Sequence, residues 1–180
     1  GIEKFRKFID KLNLINPIKF DIEEIGVPIP FDWGKCKLAT TSYGHGITTT
    51  ILQLANAYSV IVNGGYEIRS TLIKKKTYKK REKILKNNVS KKINPILRKI
   101  VSTKEGTASL ANVEGYEVGG KTGTAQKSVV GGYSKNKVNT FASIFPISNP
   151  KYTLVVMLDE PKTNSEYIYH YRDSSGIKYK

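Results

Sequence analysis

Lys121-Thr122-Gly123-Thr124 is the stretch of this 180-residue chain whose residue types and order could do chemistry. On an extended strand side chains alternate, so Thr122 and Thr124 point the same way and their two hydroxyls face one ligand. A carboxylate suits that pair of donors. Lys121 adds a cation for the anion and for proton movement, and the bare backbone at Gly123 lets another segment or a ligand approach closely. The Thr124 N–H can supply half of an oxyanion hole. Taken alone the four letters are a weak signal, since an ordinary strand or turn satisfies them equally.

The flanks raise the signal, because further stretches follow one pattern in one order. These are Tyr43-Gly44-His45-Gly46-Ile47, Thr50 to Tyr58, Val62-Asn63-Gly64-Gly65, Glu105-Gly106-Thr107-Ala108, Glu114-Gly115-Tyr116 and Leu158-Asp159-Glu160-Pro161-Lys162. Together with Gly119-Gly120-Lys121-Thr122-Gly123-Thr124 they resemble the class B penicillin-binding proteins, whose third motif is a Lys-Thr-Gly strand. The resemblance runs from about Phe5 to about Lys162 and is nearest to the division-type peptidoglycan D,D-transpeptidase, penicillin-binding protein 3. It departs at Ser42, where the family usually has Gly, and at Ile51, where it has Pro.

That resemblance implies an α+β fold: part of the serine β-lactamase and penicillin-binding transpeptidase architecture, with an antiparallel sheet of three or more strands and packed helices. Residues 1–162 would be the carboxyl portion of the transpeptidase domain, and 163–180 a polar tail at its truncated end. In the family a serine attacks the D-Ala-D-Ala bond of a peptidoglycan stem peptide and passes the acyl group to a neighbouring amine, and β-lactams imitate that substrate. By this likeness Lys121 is catalytic, and Thr122, Gly123 and Thr124 bind substrate. Stem peptides, β-lactams and division-complex proteins are the implied partners of the intact enzyme. No metal or organic cofactor enters, and nucleic acid is not a partner. The implied location is the periplasmic face of the inner membrane, with the anchor outside this chain.

The family's Ser-x-x-Lys and Ser-x-Asn motifs belong upstream of Lys121, and none stands there. Three Ser-x-x-Lys strings follow it, starting at Ser134, Ser148 and Ser175, and Ser134-Lys135-Asn136 also spells Ser-x-Asn. All lie in turn-like sequence without an amphipathic run to seat the serine at a helix N-terminus. With 13 serines and 25 lysines, chance matches are expected. The chain therefore reads as lacking its nucleophile and inactive alone. The other readings are a related β-lactamase or D,D-carboxypeptidase piece, or a basic non-enzymatic binding protein.

The net charge of +15 would suggest nucleic acid or anionic membrane. Its make-up, 25 Lys against 5 Arg, argues for a solvated surface, since nucleic-acid readers lean on Arg. The dense run from Lys74 to Lys86 reads as a connector. Cys36 is the single cysteine, so no internal disulfide or thiolate cluster forms. His45 and His170 lack metal-ligand spacing, and a hydrogen bond within its turn is the expected role of His45.

Several elements must position the motif. Phe5, Phe8, Ile9 and Leu12 recur at helical spacing, predicting a helix over 5–14, and residues 17–36 read as irregular. Thr50 with Gln53 forms a capping box for a buried helix over 51–62, ended by Asn63-Gly64-Gly65. A short strand is expected over 68–73, and a helix starting at Ser90 or at Asn94-Pro95. Residues 105–114 read as a polar loop. Strands over 116–126, 138–145 and 152–158, joined by short links, imply an antiparallel sheet.

Overall fold

Three strands joined by short links form an antiparallel sheet preceded by helices. In the computed structural model the order is α1 (Ile2–Lys11), α2 (Lys37–Ser42), α3 (Ile51–Val62) and α4 (Asn87–Ser102). A 3-10 turn at Ser109–Ala111 then leads to β1 (Gly119–Val129), β2 (Gly132–Phe145) and β3 (Tyr152–Asp159). Two short strands, β4 (Tyr171–Arg172) and β5 (Lys178–Tyr179), pair with each other. The structure describes residues 1–23, 26–29, 32–34, 37–74, 81–129, 132–162, 171–172 and 178–179; Cys36 and His170 lie outside these.

The sheet order is β1-β2-β3, antiparallel throughout, so β1 is an edge strand of that sheet. Gly119 pairs with Ile144 and Gln126 with Lys137, after which the register shifts at a bulge. Helix α3 lies against β3, where Ser59 Oγ and Thr153 Oγ1 are 2.9 Å apart, and α4 packs on β1. The core between them gathers Val62, Leu97, Ile144 and Ile147, all buried. A second cluster joins Leu12 of the segment after α1 to Ala57 and Val60 of α3. A third, Val101, Ala108 and Val118, sits where the loop after α4 turns into β1.

The capping box forms as the spacing requires. Gln53 N–H donates to Thr50 Oγ1 at 3.2 Å, and Thr50 N–H donates to Gln53 Oε1 at 2.9 Å. Gln53 is only 1% exposed, and its Nε2 also donates to the carbonyls of Asn13 (3.0 Å) and Asn16 (2.7 Å). One buried amide thus starts α3 and anchors the chain leaving α1. At the other end Gly65 has φ +89, and a Cβ there would stand 2.3 Å from the Leu85 carbonyl oxygen, so only glycine fits this crossing.

Two expectations fail. Residues 68–73 form no strand; the nearest pairing among the described residues is a single bridge just before them, Tyr66 with Lys83. A β-branched run becomes a strand only where a partner ladder exists to receive it. Helix α4 starts at Asn87, earlier than Ser90 or Asn94, and carries Pro95 within it. Pro95 is exposed, and the buried Ser90 fixes the preceding turns by donating to the Ile61 carbonyl and accepting from Gly64 N–H at 2.9 Å. These contacts outweigh the lost backbone donor of the proline. The 3-10 turn falls in the stretch expected as a polar loop, and short helix α2 follows the irregular stretch, where no element is expected.

Gln53→Leu removes the cap partner and leaves two carbonyls unmatched, so it should cost about 2–4 kcal/mol in chemical denaturation. A loss below about 0.5 kcal/mol would show that water serves those carbonyls equally well.

Candidate functional site

Lys121, Thr122, Gly123 and Thr124 stand consecutively on β1, opposite Ala142, Phe141, Thr140 and Asn139 of β2. Cross-strand partners share a face, so Thr122 and Thr124 lie on the face of Phe141 and Asn139. Lys121 occupies the opposite face and curls back to the strand edge, where Nζ donates to the Thr122 carbonyl at 2.6 Å. The β2 side is already filled, so that carbonyl points to the open edge. Backbone direction repeats every second residue, so the Thr124 N–H is directed to the same edge. Two hydroxyls, one ammonium and one free amide therefore border a single solvent-facing line, with Lys121 and Thr124 exposed and Thr122 half-buried.

Gly123 serves the sheet first. A Cβ there would lie 2.7 Å from Thr140 Oγ1 on β2, so the expected close approach is made by a neighbouring strand. Thr107 was not among the residues picked from the sequence, although Glu105-Gly106-Thr107-Ala108 was noted as a flank. Its hydroxyl lies 3.1 Å from Thr122 Oγ1, orienting the threonine of the motif from the loop after α4. That loop is held by Arg98 of α4, whose guanidinium donates to Val118 carbonyl (2.7 Å) and Asn112 Oδ1 (3.0 Å) just before β1 begins.

The downstream serines stand in other settings. Ser134 is on β2 in extended chain, where Ser134 and Lys137 cannot share one helical face, and its Oγ accepts from Asn136 N–H at 2.9 Å. Ser148 lies in the β2–β3 link and its hydroxyl donates to the Glu117 carboxylate. Ser175 is outside the described residues. His45 makes its expected hydrogen bond through the backbone, N–H to Thr40 carbonyl at 2.9 Å, while its ring packs on Tyr133 with centroids 4.4 Å apart. That ring contact ties the turn after α2 to the start of β2. No group of three or more potential metal ligands clusters among the described residues.

At the far end of β1, Lys127 Nζ meets Asp159 at 2.8 Å and Glu160 at 2.8 Å. The hydrogen bonds that Lys127 donates to the two carboxylates, Asp159 first and then Glu160, raise its ammonium above the ordinary lysine range. The same ammonium, followed by Asn136, holds the Glu160 carboxyl below the ordinary carboxylate range.

Comparison with known proteins gives the family. The family model described as penicillin binding protein transpeptidase domain matches residues 1–175. A probable peptidoglycan D,D-transpeptidase FtsI of Caulobacter vibrioides is 33% identical over 177 residues, covering 92% of this chain and 30% of the relative. Among solved structures, the transpeptidase domain of Burkholderia pseudomallei penicillin-binding protein 3 superposes with a TM-score of 0.81 at 28% identity, covering 89% of this chain and 50% of that one. Penicillin-binding protein 3 of Mycobacterium tuberculosis, complexed with aztreonam, gives 0.80 at 25% identity, covering 89% of this chain and 41% of that one. The chain spans about a third or less of the length of the curated relatives it matches.

The Glu160 shift fixes a sign. A depressed folded value means that its contribution is present above the unfolded carboxylate range and is lost as pH falls through the folded value. The stability difference between the chain and Glu160→Gln should therefore hold at neutral pH, vanish on acidification, and shrink with added salt. A thermal-melt difference independent of both pH and salt would contradict the ion cluster.

Proposed function

Because the chain belongs to the penicillin-binding protein transpeptidase family, we propose that it supplies the Lys-Thr-Gly side of the site of a division-type peptidoglycan D,D-transpeptidase. The carrying observation is the edge of β1, where Thr122 and Thr124 offer hydroxyls beside the Lys121 ammonium. Thr122 and Thr124 grip the terminal carboxylate of a stem peptide, with Gly123 keeping β1 close on β2. Lys121 neutralises that carboxylate and helps move protons near the nucleophile. The Thr124 N–H, directed to the same edge, stabilises the oxyanion of the tetrahedral intermediate.

The chemistry is acyl transfer without metal or organic cofactor. A serine Oγ attacks the D-Ala-D-Ala carbonyl; the peptide bond breaks, the last D-Ala leaves with the proton, and an acyl-serine remains. A neighbouring stem-peptide amine then takes the acyl group and restores the hydroxyl. In this reading that serine comes from outside residues 1–180: Ser134 sits on a strand, Ser148 in a link, and the lysine that follows Ser175, Lys178, on the short strand β5. Residues 1–180 alone are accordingly inactive. β-Lactams enter as substrate mimics, supported by the relative complexed with aztreonam. The intact enzyme works on the periplasmic face of the inner membrane, among the proteins of the division complex. No helix among the described residues is long and apolar enough to cross a membrane.

Intact-mass spectrometry with a reactive penicillin tests this reading on the present chain and on one extended upstream through a Ser-x-x-Lys. The adduct should form on the extended protein only; an adduct mapped to Ser134, Ser148 or Ser175 would overturn it. In the extended protein Thr122→Val should slow acylation about 10- to 100-fold, the worth of a hydrogen bond to a charged group. Thr107→Val, acting through Thr122, should slow it about fivefold.

A further inference from the structure

We propose that Lys127 is a positioning residue for Thr124 and the carboxylate-binding row, pinning β1 through Asp159 and Glu160; this rests on the transpeptidase reading above. Regular β1–β2 pairing runs to Gln126 opposite Lys137 and resumes only with Ser128 opposite Tyr133. Lys127, three positions beyond Thr124, is the single β1 residue facing three of β2, Ser134, Lys135 and Asn136, so the ladder skips it while the extra chain length lies in β2. The ladder therefore does not hold β1 at this point, and among the described residues β1 is an edge strand. Something must therefore set where the strand goes after Thr124.

The Lys127 ammonium does so by spanning the sheet. It reaches past β2 to Asp159 at 2.8 Å, the last residue of β3, and to Glu160 at 2.8 Å. Glu160 is itself docked on β2: its N–H donates to the Lys137 carbonyl at 2.9 Å, and Asn136 bonds its carboxylate. One cation thus joins β1 where its ladder is interrupted, the facing residues of β2 and the end of β3. Stability is a poor reason for the arrangement. Surface ion pairs add little, the Lys127 side chain is 34% exposed, and Glu160 holds φ +49, a left-handed conformation that costs a residue with a Cβ. What the cluster supplies is a fixed course for β1 next to the motif.

The test uses the protein extended upstream, comparing Lys127→Met, Lys127→Arg and the double variant Asp159→Asn/Glu160→Gln. Lys127→Met should lower the acylation rate by a penicillin about 10- to 100-fold, as a misplaced binding group does. It should slow the reaction of the penicillin methyl ester less, since the ester has no carboxylate for Thr122 and Thr124 to hold and depends on this strand only through the Thr124 N–H. Lys127→Arg should restore most of the rate, and the double variant should match Lys127→Met. Equal losses for acid and ester, or no loss, would overturn the proposal. Amide hydrogen exchange gives a reading independent of catalysis: protection of the Lys121, Gly123 and Ala125 amides, which face β2, should fall about tenfold in Lys127→Met and recover in Lys127→Arg. Unchanged protection overturns the proposal whether or not penicillin reacts. Failure of the unmutated protein to acylate sinks the transpeptidase reading alone, and the exchange measurement still decides this one.

Discussion

The pairing of β1 with β2 is the constraint on which the site depends. From Gly119 opposite Ile144 to Gln126 opposite Lys137 the ladder is continuous, and it fixes both the face and the edge that each residue of the motif presents. A slip of one residue would exchange the faces of the threonines and the lysine. With the ladder as it stands, Thr122 and Thr124 share a face, the Lys121 ammonium returns to the open edge, and the bare backbone of Gly123 accommodates Thr140. The motif is therefore a statement about an edge strand as much as about four side chains.

The helices hold that ladder from both sides of the sequence. Gln53 starts α3 and secures the segment after α1 through two backbone carbonyls. Helix α3 in turn braces β3 at Thr153, while Arg98 of α4 secures the entry to β1 at Val118. Thr107 then reaches the motif from the loop that α4 ends in. Each of these contacts is a hydrogen bond from a side chain to a group far away in sequence. Burial supplies the driving force, and such bonds supply the register.

Local signals explain what could be read directly. The capping box at Thr50 and Gln53, the glycines closing α3, and the three strand segments separated by short links each need only near neighbours. The failures share a cause. Residues 68–73 have strand-forming side chains but no ladder, and Pro95 looks like a helix start until Ser90 is seen bonded to the end of α3. At the site, the spacing of Lys121, Thr122 and Thr124 was legible as chemistry, whereas Thr107 and the Lys127 cluster join residues 15 to 33 positions apart. No periodicity in the sequence announces such a meeting.

A crystal structure of the upstream-extended protein acylated by a penicillin measures the central claim most directly. The ligand carboxylate should lie about 2.7–3.2 Å from the hydroxyls of Thr122 and Thr124, with its acyl oxygen at hydrogen-bond distance from the Thr124 N–H. A carboxylate turned away from β1, or an acyl oxygen held by other groups, would contradict the account.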